Sequence, residues 1–376
     1  MPDLFDPLPL RGVTLRNRIG LAPLCQYMAE DGVANDWHLA HLGARAVGGA
    51  GLVMVEATGV EARGRITPGC MGLWNDDQIE PLARIVRFME AQGAVSAIQI
   101  AHAGRKASAA PPWLGDCTIA PEDGGWEAIG PSPQAFDPPS GALWHTPREM
   151  TIDDIAVVRQ AFMDAARRAD EAGFGLLELH AAHGYLLHSF LSPLTNQRGD
   201  AYGGDFTGRS RFVLETVQAL RQVWPESKPL AVRLSTIDLA PGGWTLDDSV
   251  ALSRPLKDAG VDLIDCSTGA AVPGEHYPIG SSWQVPYASR IRRDAEIATA
   301  AVGKIVDPHQ AAAIIHNGDA DMVLLGKEMM RDPYWPFHAA QTLDRLDRLE
   351  MPPAYDYVIR PGPGVELPEA WVESDG

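Results

Sequence analysis

Eight short aliphatic or β-branched runs, separated by longer amphipathic stretches, constrain this chain more than any other feature. They are NRIGLA (17–22), GLVMVEA (51–57), VSAIQIA (95–101), GLLELH (175–180), LAVRLS (230–235), VDLIDCS (261–267), IATAAV (297–302) and DMVLL (321–325). The segments between them carry helical patterns, of which TIDDIAVVRQAFMDAARRADEAG is the clearest. There Thr151 is placed to cap the first turn, Asp154 takes the capping-box position and Gly173 closes the helix. Strands and helices alternating eight times predict a (β/α)8 barrel of the α/β class rather than an open, doubly wound sheet. Residues 1–350 are expected to form this one catalytic barrel, and 351–376 an extended C-terminal arm. At 376 residues, 45% of them hydrophobic, the chain can fill such a barrel without a second domain.

Composition removes several function classes. The net charge of −18, with no basic tract, would repel a nucleic acid. No run of about 18 apolar residues offers a membrane span. The N-terminus MPDLFDPLPLRGV lacks the basic-then-apolar order of a signal peptide. Cys25, Cys70, Cys117 and Cys266 are widely spaced, which fits free thiols in a reducing cytoplasm better than a disulfide framework.

Two connections are too long for simple turns: residues 103–150, rich in Pro, Gly and Trp, and 185–208, with SPLTNQRGDAYGGD. They leave the C-terminal ends of strands three and four, the face where barrel enzymes keep their chemistry. Other polar or small residues collect at that rim. Cys25 and Tyr27 follow strand one, Gln99 ends strand three, and His180 ends strand four with His183 and Tyr185 in its loop. Arg233 lies on strand five, Gly303 follows strand seven, and Gly326–Lys327 follow strand eight. Barrels often bind phosphate with the loops after strands seven and eight, where glycine lets backbone N–H groups approach the oxygens. Glycine after a strand also serves as a plain turn.

The chemistry of these residues leaves alternatives. A histidine at a strand end can be structural, and a lone Cys25 reads as a small buried hydrophobe. Arg233 in an apolar strand needs an anionic partner, either an ion pair within the protein or a bound group. His180, His183 and His188, with Glu178 nearby, could supply metal ligands to a barrel hydrolase. However, Glu178 and His180 share a strand face while His183 belongs to the loop, and no HxH or HExxH occurs. No metal is expected.

The motifs LRNRIGLAPLCQYMAEDG, NDWHLAHLGARAVGGAGLVMVEAT, GRITPGC, IQIAHAGRKAS and ELHAAHGYLLHSFLSPLTNQRGDAYGGDF occur in order, followed by RSRF and LGKEMMRDPYWP. Over about Leu4 to Phe337 the chain resembles the Old Yellow Enzyme family of flavin-dependent ene-reductases. The likeness is to the thermophilic-like branch with an active-site cysteine, which includes bacterial xenobiotic reductases. The resemblance implies one FMN across the C-terminal mouth of the barrel. Ala22, Pro23, Leu24 and Cys25 would lie along it, with Ala57 and Gln99 at the ring, Arg233 near N1, and Gly303, Gly326 and Lys327 at the phosphate. It implies NADPH, with NADH possible, as reductant and small activated alkenes as oxidants, in ping-pong turnover. His180 and His183 would hold the substrate oxygen, Tyr185 would protonate the α-carbon, Tyr27 would hydrogen-bond the substrate, and Cys25 would tune the flavin.

The chain departs from the family pattern at three places. Lys327 stands where the family has arginine, which removes a bidentate fork from the phosphate site. Thr207–Gly208–Arg209 replaces an ENR, and Val302 replaces a tryptophan of one xenobiotic reductase. The resemblance further implies a homodimer or homotetramer in which the arm, through Tyr357 or Arg360, reaches the neighbour's site. Readings that compete are a metal-dependent barrel hydrolase, a flavin-binding protein without turnover, and an enoate-type reductase. The last needs clustered iron–sulfur cysteines that this sequence lacks.

Overall fold

The computed structural model describes residues 1–115, 117–136 and 144–359. All eight expected strands form: β1 (Ile19–Leu21), β2 (Leu52–Gly59), β3 (Val95–Ala101), β4 (Leu176–Ala181), β5 (Leu230–Ser235), β6 (Leu263–Ser267), β7 (Ala298–Ala301) and β8 (Met322–Leu325). They pair in parallel, in chain order, and β8 pairs back onto β1 to close the barrel. Around it run α1 (Asp36–Val47), α2 (Ile79–Ala91), α3 (Ile152–Glu171), α4 (Phe206–Arg221), α5 (Leu246–Asp258), α6 (Val285–Ala295), α7 (Pro308–His316) and α8 (Trp335–Thr342). The expected caps of α3 are in place. Thr151 Oγ1 accepts from the Asp154 N–H at 3.1 Å, and Asp154 Oδ2 accepts from the Thr151 N–H at 2.8 Å. Gly173 follows with φ +95°, a left-handed exit that glycine adopts without strain.

Side chains alternate along each strand, so one set faces the helices and the other the barrel axis. Val53, Val55, Ile98, Leu177, Leu179, Val232 and Ile264 join the layer under the helices. Each fully buried aliphatic side chain there contributes about 1.5–3 kcal/mol. Leu52, Met54, Ala97, Leu176, Ala231, Leu263 and Met322 fill the axis instead, in one cluster with Leu8, Leu10 and Leu15. Those three belong to a hairpin, Leu8–Leu10 against Val13–Leu15, that plugs the N-terminal end of the barrel. The opposite, C-terminal end is left for polar groups.

Two expectations need correction. The 185–208 connection is not all loop: Leu186–Leu191 is a helix, because Leu186, Leu187, Phe190 and Leu191 are all buried in the outer core. The described start of the C-terminal arm, Pro353–Ile359, is helical rather than extended. Tyr357 on it is 73% exposed, and Arg360 lies outside the described residues. All four cysteines are free. Among the described residues no helix is long and apolar enough to cross a membrane.

Candidate active site

The site is built around a turn that leaves β4. His180 shares the inward face of the strand with Leu176 and Glu178, and it is 3% exposed. The Ala182 N–H donates to its Nδ1 at 3.2 Å, so the ring proton of the neutral form sits on Nε2. The chain then takes two left-handed steps, His183 (φ +59°) and Gly184 (φ +70°). A Cβ on Gly184 would lie 2.1 Å from the Ala270 carbonyl, so only glycine fits this close approach. The turn brings three rings together. His180 stands edge-to-face to His183 with centroids 5.2 Å apart, and edge-to-face to Tyr185 at 5.0 Å.

Hydrogen bonds, buried or partly buried, fix this turn from several directions. Ser235 Oγ accepts from the His183 N–H at 2.9 Å. Lys106 Nζ donates to the His183 carbonyl at 2.9 Å and to that of Ala270 at 2.7 Å. The Gly184 N–H donates to His188 Nδ1 at 2.8 Å, and Ser189 Oγ donates to the Gly184 carbonyl at 2.9 Å. Because His188 Nδ1 accepts, its Nε2 is the nitrogen that donates to Asp238 Oδ1, 2.9 Å away. Burial alone would raise the Asp238 carboxyl. Hydrogen bonds from His188, Ser192 and the Trp244 N–H outweigh it and hold the group below its ordinary value. Both nitrogens of His188 are thus engaged in positioning the turn. Among the described residues no group of three or more His, Cys, Asp or Glu is arranged to hold a metal. Gly184→Ala is expected to cost at least about 1–2 kcal/mol from the left-handed backbone alone. Thermal unfolding should show it, and an unchanged melting temperature would mean that the turn tolerates repositioning.

Electrostatics keep the three rings neutral. Burial, followed by the positive field of Arg233, holds both His180 and His183 well below the usual imidazole range. Burial and the neighbouring Cys25 and Cys70 hold the Tyr185 phenol well above its usual range. Tyr27 (φ +55°) is raised by burial as well, and its ring packs edge-on to Trp113 at 6.0 Å. The Cys25 thiol is pushed up by burial, then by Cys70 and Glu56, and so stays protonated. Glu56, next to Ala57 on β2, is pushed up to about 8 by burial, although its Oε2 accepts from the Gln26 N–H at 2.9 Å.

A cavity of about 650 Å³ reaches the ring cluster at Ser267. Of the residues expected to hold FMN, it is lined by Ala22, Leu24, Arg233, Gly303, Gly326 and Lys327. Its middle is apolar, with Val302 and Leu324, and the β7–β8 side adds Lys304 and Arg331. The space, the buried guanidinium and a glycine-and-lysine end fit a flat ring system carrying a phosphate. Gln284 Oε1, on the wall, has no hydrogen-bond partner among the described residues. Pro23 and Cys25, which follow β1, and Ala57 on β2 do not line this cavity. Gln99 does not line it either: it is buried and donates to Glu178 Oε1 at 2.7 Å. Ser267 joins cavity and rings: it lines the one, and its Oγ lies 2.7 Å from His183 Nε2 in the other.

Sequence reasoning missed Ser267, Lys304 and Asp265. Asp265 is the partner that buried Arg233 required, with Oδ2 3.0 Å from Arg233 Nε. An acid two residues before the end of an apolar strand was a visible signal, as was a lysine directly after Gly303. The Gly208 departure also has a local reason. Gly208 sits in the first turn of α4 with its N–H on Asp205 Oδ1 at 2.9 Å, and a Cβ there would lie 2.0 Å from the Gly203 carbonyl.

Residues 3–345 match the model of the NADH:flavin oxidoreductase / NADH oxidase family. The chain is 45% identical to an NADPH dehydrogenase of Geobacillus thermodenitrificans (strain NG80-2) over 357 residues, 94% of this chain and 97% of that one. Among solved structures it superposes on morphinone reductase with a TM-score of 0.76 at 26% identity, covering 91% of this chain and 90% of the other. It shares the fold of the old yellow enzyme homologue from Zymomonas mobilis, with a TM-score of 0.75 at 24% identity over 94% of this chain and 98% of that one. The chain therefore belongs to the NADH:flavin oxidoreductase / NADH oxidase family of Old Yellow Enzyme type, an FMN-dependent oxidoreductase family that includes NADPH dehydrogenases.

Proposed function

We propose that this enzyme reduces the C=C bond of activated alkenes (α,β-unsaturated ketones and aldehydes, maleimides, nitroalkenes) with NADPH, in two half-reactions at one site. The observation that carries the reading is the ring cluster of His180, His183 and Tyr185, joined to the cavity through Ser267. FMN held in the cavity would supply hydride transfer from NADPH to the β-carbon of the alkene. Ala22, Pro23, Leu24, Cys25, Ala57, Gln99 and Arg233 would hold its ring, and Gly303, Gly326 and Lys327 its phosphate. His180 and His183 would hold the carbonyl or nitro oxygen. As neutral N–H donors they stabilise charge that grows on that oxygen during hydride arrival. Tyr185, kept protonated by burial, would deliver a proton to the α-carbon. Tyr27 would add a hydrogen bond to the substrate, and Cys25, a neutral thiol, would shape the pocket and tune the flavin.

The test is a visible spectrum of the purified protein, repeated anaerobically after NADPH and again after cyclohexenone. Bleaching followed by recovery is the expected result. A protein that bleaches with NADPH but does not recover with any of the four alkene classes would overturn the alkene assignment.

The phosphate end gives a second expectation. Lys304 and Lys327 are both exposed cations, each worth up to about 1 kcal/mol toward a phosphate. K304A and K327A should therefore each weaken FMN binding to apoprotein by up to about fivefold, more at low salt. Fluorescence titration would check this, and unchanged affinity in both variants would place the phosphate elsewhere.

A further inference from the structure

Just below the ring cluster, four polar side chains meet inside the barrel, on four adjacent strands. Gln99 on β3 pairs with Glu178 on β4, while Arg233 on β5 pairs with His180 on one side and Asp265 on the other. Asp265 registers in turn with Ala300, and Ala300 with Met322, so apolar residues face the group from β7 and β8. Glu178 and Asp265 are both 0% exposed. One guanidinium therefore shares a dry space with two carboxyls.

Their contacts differ. Asp265 Oδ2 lies 3.0 Å from Arg233 Nε, an ionic contact whose angle is too poor for a hydrogen bond. Glu178 accepts from Gln99 Nε2 through Oε1, and its Oε2 has no partner among the described residues. Two ionised carboxylates here would leave one negative charge uncompensated in a low-dielectric interior, which proteins avoid by retaining a proton. Burial, and then Asp265, push the Glu178 carboxyl up to about 8. Burial also raises Asp265, against the pull of Arg233.

We propose that Asp265 is the fixed counter-charge of Arg233 and Glu178 a neutral, proton-holding acid, so that the pair sets the reduction potential of flavin in the adjoining cavity. Both are positioning residues, since neither lines the cavity while Arg233 does. The inference rests on flavin lying against Arg233. With both carboxyls ionised the cluster would disfavour an electron-rich ring. With Glu178 neutral it is balanced, and removing the Asp265 charge exposes the full field of Arg233.

The test is the midpoint potential of FMN-loaded wild type, E178Q, D265N and the double variant D265N/E178Q, measured by equilibration with redox dyes. E178Q should leave the potential nearly unchanged, because an amide mimics the neutral acid. The double variant should raise it by at least a factor of ten in the redox equilibrium, about 30 mV for a two-electron couple. D265N alone should shift less than the double variant, because Glu178 can ionise in its place. A double variant that binds FMN at the wild-type potential, or an E178Q shift as large as the double variant's, overturns the proposal. Wild type that binds no FMN would instead remove the cofactor reading itself. If the Asp265 variants fail to fold, the infrared difference between wild type and E178Q near pH 7 decides. A carboxylic-acid C=O band lost in E178Q is expected, and no such band in wild type overturns the assignment.

Discussion

Tyr185→Phe is expected to slow alkene reduction by about 10²–10⁴-fold while NADPH still reduces the bound flavin at close to the wild-type rate. The substitution removes one hydroxyl and keeps the ring that stands edge-to-face to His180 at 5.0 Å. The oxygen-binding donors should therefore stay in place, and the loss should fall on proton delivery alone. Stopped-flow traces of the two half-reactions separate these outcomes. Equal slowing of both would reduce Tyr185 to a packing residue, and no slowing of alkene reduction would require another acid. The sign of the pH dependence follows from the raised phenol. A general acid works below its pKa, so this group should impose no loss of alkene reduction up to about pH 10. A decline centred near neutral pH would have to come from another group.

His180→Ala is expected to lower kcat for enones by about 10²–10³-fold, the usual cost of removing one preorganised donor. His180 is the better defined of the two donors. Its Nδ1 is occupied by the Ala182 N–H, which leaves Nε2–H to point at a ligand. His183 Nε2 is shared with Ser267 Oγ at 2.7 Å, so part of its capacity is already used inside the protein. His183→Ala should accordingly cost less than His180→Ala. Steady-state kinetics with cyclohexenone checks this, because a donor that acts in the transition state lowers kcat and kcat/KM together. A change confined to KM would make His180 a ground-state binding residue instead.

The barrel was legible because each strand carries its own local signal. An apolar run of strand length, followed by a capped amphipathic helix, needs no distant partner to be recognised, and all eight runs became strands. The cap at Thr151 and the exit at Gly173 were legible for the same reason, since capping atoms lie within a few residues of one another. The helix Leu186–Leu191 was not. Six residues are too few to show a period, and it forms because all six are buried, the four apolar ones in the outer core. At the site, residue types and strand-end positions indicated His180, His183, Tyr185 and Arg233. They did not indicate Asp265 as the partner of Arg233, or Asp238 as the partner of His188, which lies 50 residues away.

The sequence by itself determined the architecture, the face that carries chemistry and the residue types gathered there, because strand periodicity and capping are local properties of the chain. Tertiary structure alone decided how those residues are held and charged. It set the His180 tautomer through a strand-end turn, the left-handed step at His183 and Gly184 through four side chains from three separate segments, and the sharing of one guanidinium by two carboxyls through strand register. Protonation and orientation depend on burial and on partners distant in sequence, and only the closed barrel brings those partners within a few ångströms.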